Sequence, residues 1–240
     1  MDYEELIVNV QEIPRERAEI VGNIDLLLGH AEYLQDVEGI TDPLARGLLD
    51  TVPSYIRKQL ERLRLHIDDE ADIIAWISRT LMELLFMLRY AYSGRDHYDE
   101  LISEQLKDLR DIENIIYPEG EPPEDAPDEV KGFHLDMGRL WEGVRSYGVE
   151  REDLDRIKPA LQFARGAEME EDYRNWWKIH SKYVHPTSYL LFGKQSFVYA
   201  EDTRLCFLLL AQYYAAINLR DLHRMIEAIP DQGPPRSSVA

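Results

Sequence analysis

The amino-acid sequence predicts an all-α protein, a helical bundle, on two observations. Apolar residues recur at three- and four-residue spacings along most of the 240 residues. Runs that alternate apolar and polar residues are nearly absent, and no Asn-Gly or Asp-Gly pair marks a hairpin turn. The hydrophobic fraction of 45% is ordinary for a globular protein. We therefore expect a single helical domain over residues 1–228.

Turn and capping residues divide the N-terminal half into helices. Pro14 suits the first turn of a helix, while Pro43 and Pro53 mark two further starts. Acidic residues before position 71 favour the positive end of another helix, which Ser93-Gly94 ends. This last helix is apolar on most sides, so we expect it at the centre of the core. The predicted helices cover residues 14–36, 43–50, 53–66 and 69–92.

The rest of the chain contains one interruption rich in Pro and Glu, from Tyr117 to Asp128, which we interpret as an internal acidic loop. Pro186 is predicted to end the helix at 169–185, because the residue preceding a proline avoids helical geometry. The tail at 229–240 is predicted to be disordered. The predicted helices cover residues 97–116, 129–147, 150–166, 169–185 and 201–228.

Charge argues against general binding to nucleic acid or to anionic membranes, because the formal net charge is −19 and phosphate contacts need Lys and Arg. The charge is uneven, however. Residues 96–130 hold thirteen acidic and two basic side chains, a net of −11, whereas residues 174–224 hold seven basic and three acidic, a net of +4. The segment 174–224 is therefore a candidate surface for RNA or a nucleotide, with a chance distribution as the alternative.

Cysteine content and hydropathy indicate a cytoplasmic protein. Cys206 is the one cysteine, so no disulfide forms within the chain, and a buried, inert thiol is expected. The acidic N-terminus lacks the cationic start and the apolar stretch of a signal peptide. The most apolar helix still carries four charged residues, so we expect no membrane span.

The helix predicted before Pro186 separates into two faces on a wheel at about 100° per residue. Its apolar, aromatic face contains Tyr173, Trp176, Trp177, Ile179, His180, Tyr183 and Val184. Its polar face contains Arg174, Asn175, Lys178, Ser181, Lys182 and His185. Spacings of four, three and four place Arg174, Lys178, Ser181 and His185 in one stripe.

This polar stripe combines a proton-transfer group with cations and a hydroxyl. An imidazole such as that of His185 has an ordinary pKa of about 6.5 and acts as acid or base near neutrality. Arg174 and Lys178 are suited to holding a phosphate or stabilising an anionic transition state. The combination fits phosphoryl transfer, including RNA cleavage by the 2′-hydroxyl. The structural alternative is that Lys182 and His185 only complement the dipole of a helix end.

For His180 and the aromatic residues around it, packing is the first interpretation. A histidine among two tryptophans and two tyrosines is most often a core residue with one hydrogen bond. Trp176 and Trp177 could stack on nucleobases, but a tryptophan pair on an apolar helix face more often belongs to the core. His180 therefore stands as a secondary candidate for chemistry.

Two motifs resemble an uncharacterised family of bacterial helical proteins. The run from Trp177 to Thr187 resembles a family motif that reads Tyr-Arg-x-Leu-Ser-x-x-Val-His-Pro-Ser/Thr. Upstream, Arg79-Thr80-Leu81-Met82-Glu83, followed by an apolar run to Tyr90, resembles the family's Arg-x-x-x-Glu helix. From their spacing within an apolar helix, we expect Arg79 and Glu83 to form a buried ion pair, and in second place to brace the helix of His185.

That family looks like a relative of the HEPN superfamily, and the resemblance implies a HEPN-like core with extra N-terminal helices. Many HEPN proteins are metal-independent RNases of toxin–antitoxin and phage-defence systems, and active members usually form dimers. Their signature is Arg, four to six residues, then His. Arg174 to His180 has this spacing but lies about 120° from alignment on a straight helix. Lys178 to His185 keeps one face, but Lys replaces Arg and lacks its planar fork.

The sequence thus supports two functional hypotheses. In the first, the chain is an endoribonuclease or toxin in which His185 is the acid/base, Lys178 and Arg174 bind phosphate, Ser181 supports them, and Tyr183 shapes the core or a dimer contact. In the second, it is a non-catalytic binding or regulatory protein. An antitoxin or regulatory protein is the expected partner. We expect no cofactor and no metal, since the histidines are scattered and no His-Glu-x-x-His pair or glycine-rich phosphate loop occurs.

Overall fold

The computed structural model describes residues 16–69, 71–94, 160–184 and 201–228, together with single residues 97, 100, 101, 127, 128, 131, 132, 135 and 138. Every regular element in these ranges is a helix and none is a strand, which confirms the all-α prediction. Most of the acidic loop and the tail at 229–240 lie outside the described residues, so their predicted character stays a prediction.

Seven α-helices and one π-helical turn are defined within the described ranges, and none of them is long and apolar enough to cross a membrane. They are α1 (Arg17–Gln35), α2 (Pro43–Leu65), α3 (Ala71–Tyr92), α4 (Ala160–Gly166), α5 (Glu170–Asp172), the π-helix (Tyr173–Trp177), α6 (Lys178–Val184) and α7 (Glu201–Glu227).

Helix α3 lies at the centre of the described core, as its apolar composition predicted. It packs against α2, α4, α6 and α7. The pairing with α7 is reinforced by the buried amide of Asn218, which donates to the carbonyl of Leu81 at 2.9 Å. Near the end of both helices, Arg89 donates to Asp221 at 2.7 Å. Through its contact with α6, α3 also supports the motif-bearing helix, the name used below for α5, the π-helix and α6 in succession.

The predicted break at Pro53 is wrong, because residues 43–65 form one continuous helix. An internal proline costs about 3 kcal/mol in lost hydrogen bonding and steric conflict. Burying one large aliphatic side chain contributes about 1.5–3 kcal/mol to the stability of the fold, and several such side chains are buried on both sides of Pro53 in the chain. Continuing the helix keeps these residues on one inward face, so packing outweighs the local cost: Leu49, Val52, Ile56 and Leu60.

A Schellman turn ends α4 and leads the chain into the motif-bearing helix. The backbone N–H of Met169 donates to the carbonyl of Ala164 at 2.7 Å, and that of Glu168 donates to Arg165 at 3.1 Å. Glu168 has a φ of 58°, the left-handed conformation that usually falls to glycine at this position. The turn therefore carries a local conformational cost.

Replacing Glu168 with glycine should stabilise the fold by about 1 kcal/mol, because glycine reaches the left-handed region without the Cβ conflict. Urea unfolding followed by circular dichroism measures this difference. Glu171→Gly serves as the control, since the same residue change within α5 should destabilise by about 1 kcal/mol. A Glu168→Gly protein no more stable than wild type would contradict the strain assigned to this turn.

Candidate functional site

The motif-bearing helix is not a uniform α-helix. It consists of α5, the π-helix and α6 in succession. The i→i+5 pattern of a π-helix widens the turn, so side chains after Trp177 are rotated relative to a wheel drawn at constant pitch. The predicted two-face division is accordingly wrong at two positions. Ile179, predicted on the apolar face, is 44% exposed, and the hydroxyl of Ser181, predicted on the polar stripe, is buried with no hydrogen-bond partner among the described residues.

Arg174 and Lys178 are exposed, as predicted for the polar stripe. The guanidinium of Arg174 is already engaged, however, since its Nη2 lies 2.7 Å from Oε1 of Glu170. Arg165 reaches the same oxygen at 3.1 Å. Hydrogen bonds from Arg165 and Arg174 lower the pKa of the Glu170 carboxyl. Lys178 forms no ion pair with another described residue, so it is the more accessible of the two predicted phosphate-binding cations.

His180 lies in the core with no exposed surface. Its Nδ1 is 2.6 Å from the carbonyl oxygen of Trp176, which only accepts, so Nδ1 carries the proton. Its Nε2 therefore accepts from the hydroxyl of Ser78 at 2.8 Å. Burial lowers the pKa of the imidazole to about 4, so it is neutral near pH 7. The packing interpretation of His180 fits this environment, with two hydrogen bonds where one was expected.

The structure tests one of the two residue pairs that were compared with the HEPN signature, Arg174–His180, and not the other, Lys178–His185. Arg174 projects into solvent while His180 is sealed on the inner side of the same helix, so the structure does not bring this pair together. His185 lies outside the described residues, and its register with Lys178 stays a prediction. Tyr183 is 7% exposed and packs edge-on against Phe207, with ring centroids 4.9 Å apart, so it belongs to the core.

The upstream motif contacts the downstream one directly. Arg79 and Glu83 form the predicted ion pair, with Nε 2.9 Å from Oε1, but the pair is only partly buried, since the side chains are 15% and 29% exposed. The indole Nε1 of Trp177 donates to the same Oε1 at 2.6 Å. The Arg79 guanidinium carbon lies 4.6 Å from the centre of the Trp177 ring, within cation–π distance. This cluster, Arg79–Glu83–Trp177, joins α3 to the π-helix. It is the kind of contact expected if Arg79 and Glu83 brace the helix of His185, their second interpretation.

An open groove lies beside this cluster, and the sequence did not predict it. Its volume is about 350 Å³, and Glu83 forms part of its wall. Only two signals in the sequence pointed toward it: a carboxylate within an apolar helix, and tyrosine on the neighbouring helix. The other residues line it through tertiary packing alone. The lining consists of Thr51, Val52 and Tyr55 from α2 with Thr80, Glu83, Leu84 and Met87 from α3.

Neither a metal cluster nor a reactive thiol emerges in the described part of the chain. No group of three or more His, Cys, Asp or Glu side chains there is arranged to hold a metal ion. Cys206 is partly buried, and burial raises the pKa of its thiol. A protonated thiol is a poor nucleophile, which fits the inert role expected for it.

Comparison of the chain with protein families, with curated proteins and with solved structures finds no match. The family resemblance therefore rests on the two motifs alone. To these motifs the structure adds a physical connection, because Trp177 donates to a carboxylate oxygen of Glu83, 94 positions before it, and Arg79 donates to the same oxygen.

Proposed function

We propose that this chain is a HEPN-like, metal-independent endoribonuclease or toxin of a prokaryotic defence or toxin–antitoxin system. The observation that supports the proposal best is the contact between the two motif-bearing helices through Trp177 and Glu83. A helix held to the core by a charged hydrogen bond provides a rigid support for residues that must be positioned for chemistry. Lys178 immediately follows Trp177 and is exposed beside this anchor.

In the proposed reaction, His185 takes the proton from a ribose 2′-hydroxyl, whose oxygen attacks the adjacent phosphorus. The bond from phosphorus to the 5′-oxygen breaks, and that oxygen receives a proton from the imidazolium that His185 has become. The products are a 2′,3′-cyclic phosphate and a 5′-hydroxyl. Lys178 balances the charge on the phosphate oxygens, and Arg174 joins it when released from Glu170. A homodimer and an antitoxin or regulatory partner belong to the same proposal.

The second candidate is a non-catalytic binding or regulatory protein. It is favoured by the state of the other predicted site residues. The charge of Arg174 is balanced by Glu170, the imidazole of His180 is buried, and the hydroxyl of Ser181 is buried. A lysine at the family's arginine position and the net charge of −19 favour it as well.

Cleavage of RNA in EDTA separates the two candidates. Wild-type protein should cut a synthetic single-stranded RNA and leave cyclic-phosphate ends, detected by denaturing electrophoresis and mass spectrometry. His185→Ala should lower the rate at least about 100-fold, since general acid–base catalysis contributes about 10²–10⁴. Lys178→Arg, which restores the family residue, should raise it. His66→Ala replaces a partly exposed histidine at the end of α2 and should cut at the wild-type rate.

The ion pair of Arg174 offers a second arm of the same experiment. Glu170→Gln removes the negative charge that holds Arg174, so phosphate binding should improve and the Michaelis constant should fall several-fold. If neither wild type nor Lys178→Arg cuts RNA, the nuclease proposal is wrong. Co-purification of a basic protein partner would then support the second candidate.

A further inference from the structure

The groove between α2 and α3 contains mostly hydrogen-bond acceptors among its polar atoms. The hydroxyl of Thr51 donates its proton to the carbonyl of Gly47 at 2.9 Å. The hydroxyl of Thr80 donates to the carbonyl of Trp76 at the same distance. A hydroxyl that has given its proton to a backbone carbonyl has only lone pairs left to offer a ligand. Both threonines therefore act as acceptors toward the groove.

Glu83 supplies the charged acceptor. Its Oε1 receives two hydrogen bonds, from Arg79 Nε at 2.9 Å and from Trp177 Nε1 at 2.6 Å. Its Oε2 has no hydrogen-bond partner among the described residues. The two donors anchor Oε1, so Oε2 is the carboxylate oxygen left for a ligand. A carboxylate already held by the protein binds a ligand with less reorganisation.

The rest of the lining is apolar or aromatic. Val52, Leu84 and Met87 contribute hydrocarbon and sulfur, and Tyr55 is 41% exposed. Burial raises the pKa of the Tyr55 hydroxyl, so it stays protonated, and it is the one lining side chain with a proton to offer. Its ring is also a suitable surface for a cation. The volume of about 350 Å³ lies at the small end of the range for ligand pockets, about 300–1,000 Å³.

We propose that this groove binds a small organic cation, an amine or amidine on an apolar body, whose N–H groups donate to Oε2 of Glu83. The apolar part of the ligand packs on Val52, Leu84 and Met87. Because Arg79 already balances the charge of Glu83, selectivity comes mainly from the excess of acceptors, which reject phosphate and other anions. The chain's net charge of −19 adds a general attraction for cations. The site shares Glu83 with the anchor of the motif-bearing helix, but none of the residues proposed to act in RNA cleavage lines the groove.

Benzamidine is a suitable probe, with benzyl alcohol as its neutral counterpart and inorganic phosphate as the anion. Titration of full-length protein followed by NMR chemical shifts should show saturable binding of benzamidine alone. Glu83→Gln should weaken binding at least tenfold, because an amide replaces part of the acceptor surface with donors. Glu61→Gln is the matched control, since Glu61 pairs with Arg57 at 2.9 Å in the same i,i+4 arrangement but lies outside the groove lining.

Leu84→Trp provides a test that leaves the ion pair intact, because the larger side chain fills the groove and should abolish binding. Circular dichroism melting of each variant establishes that it is folded. Equal binding of benzyl alcohol would overturn the proposal, since an apolar cleft alone would explain it. Unchanged affinity in Glu83→Gln, or in folded Leu84→Trp, would also overturn it, as would saturable binding of phosphate to the groove residues.

Discussion

Lowering the pH from 7 to 5 should remove about 2 kcal/mol from the free energy of unfolding through His180 alone. The imidazole is fully buried, and its pKa is lowered to about 4. Burial penalises the charged form, and one ring nitrogen is committed to the Trp176 carbonyl. Protonating the other nitrogen would break the hydrogen bond that it accepts from Ser78. The neutral imidazole is therefore the form that the folded protein holds.

The direction of the effect follows from proton binding. Below about pH 6.5 the unfolded chain takes up a proton on this histidine, whereas the folded protein does not until about pH 4. The contribution to stability is thus complete above about pH 6.5 and declines as the pH falls toward 4. Over the whole window it amounts to about 3 kcal/mol. Burial also lowers the pKa of His30, which acts in the same direction.

The measurement is urea unfolding of wild type and His180→Gln at several pH values. The decline specific to His180 should disappear from the variant, while the contribution of His30 remains in both proteins and cancels in the difference. NMR titration of the His180 ring protons gives a second, direct readout, with a midpoint near pH 4. Equal pH slopes in the two proteins, or a ring that titrates near pH 6.5, would contradict the buried neutral state.

Hydrophobic periodicity predicted the long helices well because each buries an apolar stripe. The expected helices at 14–36 and 201–228 correspond to α1 and α7, whose bounds are Arg17–Gln35 and Glu201–Glu227. Local rules failed where packing overrode them. Pro53 predicts a helix start, yet the apolar residues on both sides of it are buried in the same core and keep α2 continuous.

The candidate site was harder to predict because its geometry depends on one π-helical turn and on contacts between distant residues. A helical wheel drawn at constant pitch contains no i→i+5 turn. It therefore placed Ser181 on the polar face and Ile179 on the apolar face, the reverse of what the structure has. The ion pair of Arg79 and Glu83 was predictable, since their spacing puts them on neighbouring turns of one helix. Its bond to Trp177 was not, because nothing in local sequence specifies which carboxylate an indole N–H will meet.

Replacing Gly166 with alanine should destabilise the protein by about 3 kcal/mol, the upper part of the range for overpacking. A Cβ at this position would overlap the Cδ2 and Cε2 atoms of the Tyr90 ring. The ring has little room to move away. His97 stacks on it with centroids 4.2 Å apart, Phe163 meets it edge-on at 5.4 Å, and its hydroxyl donates to Glu100.

Gly29→Ala is the matched control, because a Cβ there would meet nothing within 4 Å. Within α1 the same change should stabilise by about 0.5–1 kcal/mol through helix propensity and a restricted unfolded chain. If urea unfolding gives changes of opposite sign in the free energy of unfolding for the two variants, the effect of Gly166→Ala comes from the contact with Tyr90. Trimming the ring in Tyr90→Leu should relieve the clash, so the double variant should lose less than the sum of the two single changes. Additive losses would show that Gly166 acts through backbone freedom instead.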